Sequence, residues 1–175
     1  EKRYPKYRAH LPEQLLDGYR SLMANRYASQ SGRYKTLADT GQKPKTMVIA
    51  CCDSRAAPET IFDCGPGELF VVRNVANLVP PYKPDGEYHG TSAALEFAIQ
   101  SLKVENIVVL GHGRCGGIAA SLNMDHEPLS PGDFIGQWMK LVQPAAEVIA
   151  ANTLLTASER QRTMDELATF LVAND

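Results

Sequence analysis

The sequence has few of the features that mark secreted, membrane-spanning or nucleic-acid-binding proteins. It contains four cysteines in 175 residues, which is not a disulfide framework in a chain of this length and favours a reducing compartment. No apolar run approaches the ~20 residues that a transmembrane helix needs. The formal net charge of −2 gives no reason to expect nucleic acid or an anionic membrane as a partner. The sequence also lacks internal repeats and low-complexity tracts.

The composition is that of an ordinary globular protein, with 44% hydrophobic and 22% charged residues. A chain of this length suits a single domain, residues 1–175, that buries its core without covalent links. We expect an N-terminal helical arm at 1–30, a site-bearing core at 46–122 and C-terminal helices at 131–175. A cytoplasmic location is expected, although a chain that starts at Glu1 rather than methionine leaves organelle targeting open.

Three apolar runs predict strands at 46–50 (TMVIA), 68–73 (ELFVVR) and 106–110 (NIVVL). The runs are uninterrupted rather than alternating, which is typical of strands buried on both faces of a parallel sheet. Strands that alternate with helices indicate an α/β protein. Because ligands bind beyond the carboxyl ends of such strands, we expect the residues after Ala50 and Leu110 to share one rim of the sheet.

Helices are predicted where apolar residues recur at helical spacing. The helix at 91–102 is apolar nearly all round and should therefore be buried. Ser158 and Gln161 have the spacing of a capping box at the start of the last helix. The segment 29–45 is predicted to be mostly loop. The expected long helices are 11–27, 91–102, 134–151 and a final one to about Val172.

Cysteine and histidine residues follow two of the predicted strands. Cys51 follows the first run, and His112 and Cys115 follow the third. Two cysteines and one histidine form a three-ligand zinc site with an open fourth position, as in catalytic rather than structural zinc centres. Adjacent Cys51 and Cys52 would point to opposite faces of an extended strand, so they cannot both serve one site.

On spacing alone, an HxxC pair with a distant cysteine is more often structural zinc or coincidence. Its context, at the ends of buried strands and beside the residues DSR, favours a catalytic site. Cys52 and Cys64 are expected to be small buried apolar residues.

The segments around these residues resemble β-class carbonic anhydrases, and the resemblance covers roughly residues 11–150. In that family the cysteine ligand stands two residues before an aspartate and four before an arginine. The resemblance therefore assigns the metal to Cys51, His112 and Cys115, and leaves Cys52 at a variable position. The matching segments are CxDSR at 51–55, GELFVVRNVANLVPPY at 67–82, GTSAALEFA at 90–98 and GHGRCGG at 111–117.

The resemblance implies zinc as the cofactor, with carbon dioxide and bicarbonate as substrates. Zinc would lower the pKa of a bound water towards ~7 and so provide hydroxide to attack carbon dioxide. Two thiolate ligands make zinc a weaker Lewis acid, so another group must favour the hydroxide. Asp53 can accept its hydrogen bond, and Arg55 can hold Asp53 through a bidentate pair, as the family is understood to use them. In some members the aspartate instead binds zinc and closes the site, and the sequence does not distinguish the two states.

The resemblance also implies a substrate pocket. Gln42 matches a residue that binds carbon dioxide or bicarbonate, and Gly116 matches a backbone contact. Phe70, Val75 and Tyr88 match apolar and aromatic walls, which suit an apolar gas. Part of this pocket comes from a partner subunit in the plant-like branch, which implies a homodimer or a higher homo-oligomer.

Family members continue after the final helix into a further strand. Residues 165–175 do not contain the segment that typically precedes that strand in the family. We therefore expect this strand to be missing, leaving an open sheet edge unless another element covers it. The sequence thus predicts a central, mostly parallel sheet flanked by helices and a zinc-dependent carbonic anhydrase. One alternative is a hydrolase of a carbon dioxide analogue, carbonyl sulfide or carbon disulfide, on the same scaffold. The other is a zinc-binding protein without catalysis.

Overall fold

Residues 11–84, 89–123 and 127–170 are described by the computed structural model of this protein. The chain divides into two compact units, residues 1–42 and 43–175. The described part of the first unit is largely helical, and the second unit contains the sheet and the remaining helices. The finer domain boundaries given above remain predictions.

The first unit extends the predicted N-terminal helix into the segment expected to be a loop. Helix α1 (Glu13–Leu22) continues through a π-helical stretch (Met23–Tyr27) into α2 (Ala28–Thr40). The rings of Tyr27 and Tyr34, seven residues apart, contact each other at a centroid distance of 5.0 Å. The helix ends before Gly41, whose φ of 79° lies in the left-handed region that favours glycine. Exposed large apolar residues along this unit are Leu11, Leu15, Tyr19, Leu22, Met23 and Tyr27.

The second unit is organised around a parallel three-stranded sheet of order β2-β1-β3. Its strands are β1 (Thr46–Cys51), β2 (Leu69–Asn74) and β3 (Asn106–Leu110), within one residue of the predicted runs. In the register, Ala50 of β1 lies opposite Arg73 of β2 and Leu110 of β3. The carboxyl ends of all three strands therefore meet at one rim, and the predicted α/β fold with a parallel sheet and flanking helices is confirmed.

Burial is uneven across the sheet. Central strand β1 is buried from Met47 to Cys51, whereas β2 is only half-buried. On β3, Ile107 is 46% exposed and Val108 36% exposed. The prediction of strands buried on both faces is therefore correct for β1, whereas the described strands β2 and β3 on either side of it are partly exposed.

The remaining described helices of this unit are α3 (Pro58–Ile61), α4 (Gly90–Glu96) with a π-helical continuation (Phe97–Leu102), α5 (Gly116–Leu122), α6 (Phe134–Met139), α7 (Gln143–Ala150) and α8 (Ala157–Phe170). The expected burial of the 91–102 helix is wrong in part, since Phe97 and Ile99 are exposed. A single helix over 134–151 is also wrong. Pro144 lies in the first turn of α7, where its missing N–H and its ring prevent continuation from α6. Among the described helices, none has the length and hydropathy required to cross a membrane.

The capping box of α8 lies two residues earlier than predicted. The backbone N–H of Thr156 donates to Glu159 Oε2 at 2.8 Å, and the Glu159 N–H donates to Thr156 Oγ1 at 3.3 Å. The hydrogen bonds from Thr156 also lower the pKa of Glu159. Ser158 and Gln161 therefore do not form the cap, and Gln161 makes other contacts one turn into the helix.

The main core cluster lies next to the rim of the sheet. It packs Cys51 and Cys115 against apolar side chains from α5, α6, α7 and α8, among them Ile118, Met139 and Met164. The end of β1 and the start of α5 are thus held by helices from the C-terminal part of the chain.

Candidate metal centre

The structure brings together the three side chains predicted to bind metal. Cys51 is the last residue of β1, and His112 and Cys115 lie in the loop between β3 and α5. One ligand atom from each side chain lies within 4.8 Å of the others, and the two sulfur atoms are 3.9 Å apart. Both cysteines are buried, and the His112 side chain is only 13% exposed.

This arrangement fits a tetrahedral zinc ion. Zinc–sulfur bonds of about 2.3 Å at tetrahedral angles require sulfur atoms about 3.8 Å apart, close to the observed separation. His112 Nε2 is buried and has no hydrogen-bond partner among the described residues. His112 Nδ1 lies 3.1 Å from the carbonyl oxygen of Gly113. A proton on Nδ1 would donate to that oxygen and leave the Nε2 lone pair for a metal.

The electrostatics of the two thiols also favour a cation. Burial raises the pKa of the Cys115 thiol, and the nearby Cys51 sulfur raises it further. Two thiolates this close together in the protein interior repel each other and are poorly solvated. A divalent cation would compensate both charges, which is why metal binding deprotonates such cysteines.

Asp53 and Arg55 form a tight ion pair beside these three residues. Asp53 Oδ1 accepts hydrogen bonds from the Arg55 backbone N–H (3.0 Å) and Nε (2.9 Å), and Oδ2 accepts one from Nη2 (2.8 Å). The Arg55 side chain, then its backbone N–H, hold the pKa of Asp53 well below its usual range. Asp53 Oδ2 lies 3.9 Å from His112 Nε2. The carboxylate is therefore ionised at neutral pH and oriented by Arg55 at the edge of the candidate metal centre.

Arg73 is a site residue that sequence reasoning missed. From the end of β2, its Nε donates to the carbonyl oxygen of Cys51 at 2.8 Å, and its Nη2 donates to that of Asp53 at 2.6 Å. A single half-buried side chain thus orients both the ligand and the adjacent carboxylate residue through their backbone. The sequence feature that could have identified Arg73 is its position as a charged residue at the end of an apolar run. That run was predicted to be a strand parallel to the one that ends in Cys51.

Two of the predicted pocket residues, Val75 and Phe70, lie in different surroundings. Val75 is 38% exposed and, with Trp138 and His89, lines a cavity of about 490 Å³. Phe70 packs instead against the cluster around Met47 and contacts Phe97 with a ring-centroid distance of 5.8 Å.

All five predicted pocket residues remain predictions. Gly116 is the first residue of α5, and an added Cβ there would meet open space. A Cβ on its neighbour Gly117 would lie 2.9 Å from Val75 Cγ1, so Gly117 is needed for the close approach of α5 to Val75. Gln42 belongs to the N-terminal unit, and Tyr88 lies outside the described residues.

The expectation for the two remaining cysteines is wrong. Cys52 is exposed and Cys64 is half-buried, whereas both were expected in the core. Cys52 is the first residue after β1, beyond the buried part of that strand.

Substitution of the doubled cysteines tests the ligand assignment. Cys51→Ser is expected to lose most of the bound zinc, because serine does not replace a thiolate ligand. The matched control, Cys52→Ser, is expected to retain both its bound zinc and its fold, because this side chain is exposed. Metal content after gel filtration measures both variants. Zinc retained in Cys51→Ser and lost in Cys52→Ser would contradict the assignment.

Comparison with known proteins agrees with this geometry. The family model described as "Carbonic anhydrase" matches residues 46–174. Beta carbonic anhydrase 5, chloroplastic, of Arabidopsis thaliana is 45% identical over 130 residues, which are 73% of this chain and 42% of that protein. The chain thus spans less than half the length of that curated relative.

Solved structures with the same fold include the β-carbonic anhydrase CcaA. Its TM-score is 0.80 at 26% identity, and the match covers 91% of this chain and 71% of that one. One of two tetrameric β-carbonic anhydrases from Sordaria macrospora matches with a TM-score of 0.71 at 29% identity, over 89% of this chain and 75% of that one. The family match covers most of the chain, and both structures have the same overall fold. The chain therefore belongs to the β-class of the carbonic anhydrase family.

Proposed function

We propose that this protein catalyses the reversible hydration of carbon dioxide to bicarbonate and a proton, with zinc held by Cys51, His112 and Cys115. One observation supports this function above the others. Two buried sulfurs and an imidazole nitrogen that has no hydrogen-bond partner in the described part of the chain lie within 4.8 Å of one another, beside a carboxylate oriented by arginine. When bound, zinc lowers the pKa of a coordinated water towards ~7 and so supplies a nucleophile at neutral pH.

Asp53 is the residue that would orient the attacking water. An ionised carboxylate only accepts hydrogen bonds, and each of its oxygens has two lone pairs. Oδ1 accepts two hydrogen bonds from Arg55, whereas Oδ2 accepts one. The remaining lone pair of Oδ2 is thus available to the water. Arg55 fixes the carboxylate in this orientation and keeps it ionised, so that it accepts rather than donates.

The substrate side of the site is proposed from the family resemblance. Gln42 and Gly116 would bind carbon dioxide or bicarbonate, and Phe70, Val75 and Tyr88 would form walls that exclude water. The cavity beside Val75, with Trp138 in its lining, supplies an apolar surface of this kind. Because Phe70 lies apart from that cavity, we propose that a second subunit brings the two surfaces into one site.

A homodimer or higher homo-oligomer is accordingly proposed. The exposed apolar residues of α1, including Leu15 and Tyr19, form a surface better suited to a subunit interface than to water. The loop at 77–89 was expected to add Leu78, Val79, Tyr82 and Tyr88; Tyr82 is 95% exposed and supports this, whereas Leu78 is buried and Val79 packs against the cluster around Met47. A cytoplasmic location remains a prediction, and the Arabidopsis relative is described as chloroplastic.

Carbon dioxide hydration by the zinc-loaded protein tests the proposed activity. We expect a stopped-flow indicator assay to show acceleration that disappears on chelation and returns with zinc. Zinc-loaded protein that hydrolyses carbonyl sulfide or carbon disulfide but leaves carbon dioxide unreacted would instead identify an analogue hydrolase. Inactivity on all three substrates with zinc bound would identify a non-catalytic zinc-binding protein.

Variants of the ion pair test the role of Asp53. Asp53→Asn is expected to retain zinc and to lose at least about tenfold in hydration rate, because an amide is a weaker acceptor and can present its N–H instead. Arg55→Ala is expected to lose a similar amount, since the freed carboxylate can turn towards the metal. Glu59→Gln, at an exposed position on α3, is the matched control. Full activity in both test variants would rule out this role.

Removal of residues 1–27 tests the proposed assembly. We expect the truncated chain to show a smaller dimer fraction and lower activity, because the apolar surface of α1 is gone. Zinc binding should change less, because the ligands lie in the second unit. Light scattering and metal content measure the two effects. A full-length chain that is monomeric and fully active at assay concentration would contradict the proposal.

A further inference from the structure

The loop that carries His112 and Cys115 contains an unfavourable backbone conformation. Arg114, between the two, has a φ of 58°, in the left-handed region that side chains other than glycine rarely adopt. The conformation persists only where surrounding contacts determine it. Since Cys115 adjoins Arg114 and His112 lies two residues before it, contacts that hold Arg114 also set the ligand geometry.

Helix α8 supplies such contacts from a distant part of the chain. The backbone N–H of Arg114 donates to Asp165 Oδ2 at 2.8 Å. Gln161 Nε2 donates to Asp165 Oδ1 at 2.9 Å and to the carbonyl oxygen of Cys115 at 3.4 Å. Arg55 Nη2 donates to the carbonyl oxygen of Arg114 at 3.3 Å. Both peptide groups of Arg114 are therefore held, one from α8 and one from the arginine that orients Asp53.

Asp165 is buried, with an exposure of only 8%. It follows Met164, which belongs to the core cluster that contains Cys51 and Cys115. Burial of a carboxylate among apolar side chains is costly unless hydrogen bonds compensate it. A leucine would fill this position without the desolvation cost of a buried carboxylate. The presence of aspartate therefore indicates a polar role, and its hydrogen bond with the Arg114 N–H is such a role.

We propose that Asp165, oriented by Gln161, is a positioning residue that holds the His112–Cys115 loop in its metal-binding geometry. The inference rests on the proposed function, because it requires a metal at Cys51, His112 and Cys115. Asp165 acts through the backbone of Arg114, whose N–H donates to its Oδ2. The carbonyl oxygen of the same residue, Arg114, accepts from Arg55. Arg114 therefore links α8 to the arginine that orients Asp53, so that the ligand loop and the Asp53 carboxylate are positioned together.

Three variants at two neighbouring positions of α8 test this role through metal affinity. Asp165→Leu is expected to weaken zinc binding about 10- to 100-fold, because the Arg114 N–H loses its acceptor. Asp165→Asn keeps one acceptor oxygen for that N–H and should lose less. Glu166→Gln, at an exposed position, should match the wild type. Competition with a chromophoric chelator measures the zinc dissociation constants of all three full-length variants.

The absorption spectrum of the cobalt-substituted protein separates positioning from stability. At saturating cobalt, Asp165→Leu is expected to show altered sulfur-to-cobalt and ligand-field bands, with Asp165→Asn closer to the wild type. Ile149→Ala removes a buried apolar side chain of α7 from the same core cluster, and this side chain has no hydrogen-bonding group. It should lower the unfolding temperature while leaving the zinc affinity and the cobalt spectrum unchanged.

Unchanged affinity and spectrum in Asp165→Leu, with wild-type protein binding zinc, would overturn the positioning role alone. Wild-type protein that binds neither zinc nor cobalt would overturn both this role and the proposed function. An equal loss of zinc affinity in Ile149→Ala and Asp165→Leu would also overturn the positioning role of Asp165, because a general loss of packing would then explain the effect.

Discussion

The parallel register of β1 between β2 and β3 is the constraint on which the rest of the structure depends. It aligns Ala50 with Arg73 and Leu110, so that the residues after all three strands meet at one rim. An antiparallel neighbour would send its following loop to the opposite edge. Cys51 and the loop with His112 and Cys115 therefore meet although the chain between them includes α3, β2, α4 and β3.

A rim of this kind exposes unpaired backbone groups, and charged side chains bind them here. Arg73 binds the carbonyl oxygens of Cys51 and Asp53, and Arg55 binds that of Arg114. Asp165 accepts the N–H of Arg114 from the other side. Each charged group satisfies backbone groups next to a candidate ligand, so the same hydrogen bonds that make the rim stable also orient the site.

Sequence patterns correctly predicted the structural features that are determined by residues close together in the chain. The uninterrupted runs located all three strands to within one residue, and the strand ends identified Cys51, His112 and Cys115 as a group. Predictions failed where the outcome depended on packing or on competing local signals. Pro144 divided a helix whose apolar spacing continued through it, and Thr156 with Glu159 formed the cap assigned to Ser158 and Gln161.

By itself, the sequence determined the α/β class, the strands and the ligand types, because these follow from side-chain period and chemistry along adjacent residues. Only the tertiary structure decided that Arg73 orients Cys51, that Asp165 holds Arg114, and that β3 is an exposed edge. These features join residues far apart in the chain through backbone atoms. Every residue type has the same backbone N–H and carbonyl, apart from proline, so such partners leave no signature in the sequence.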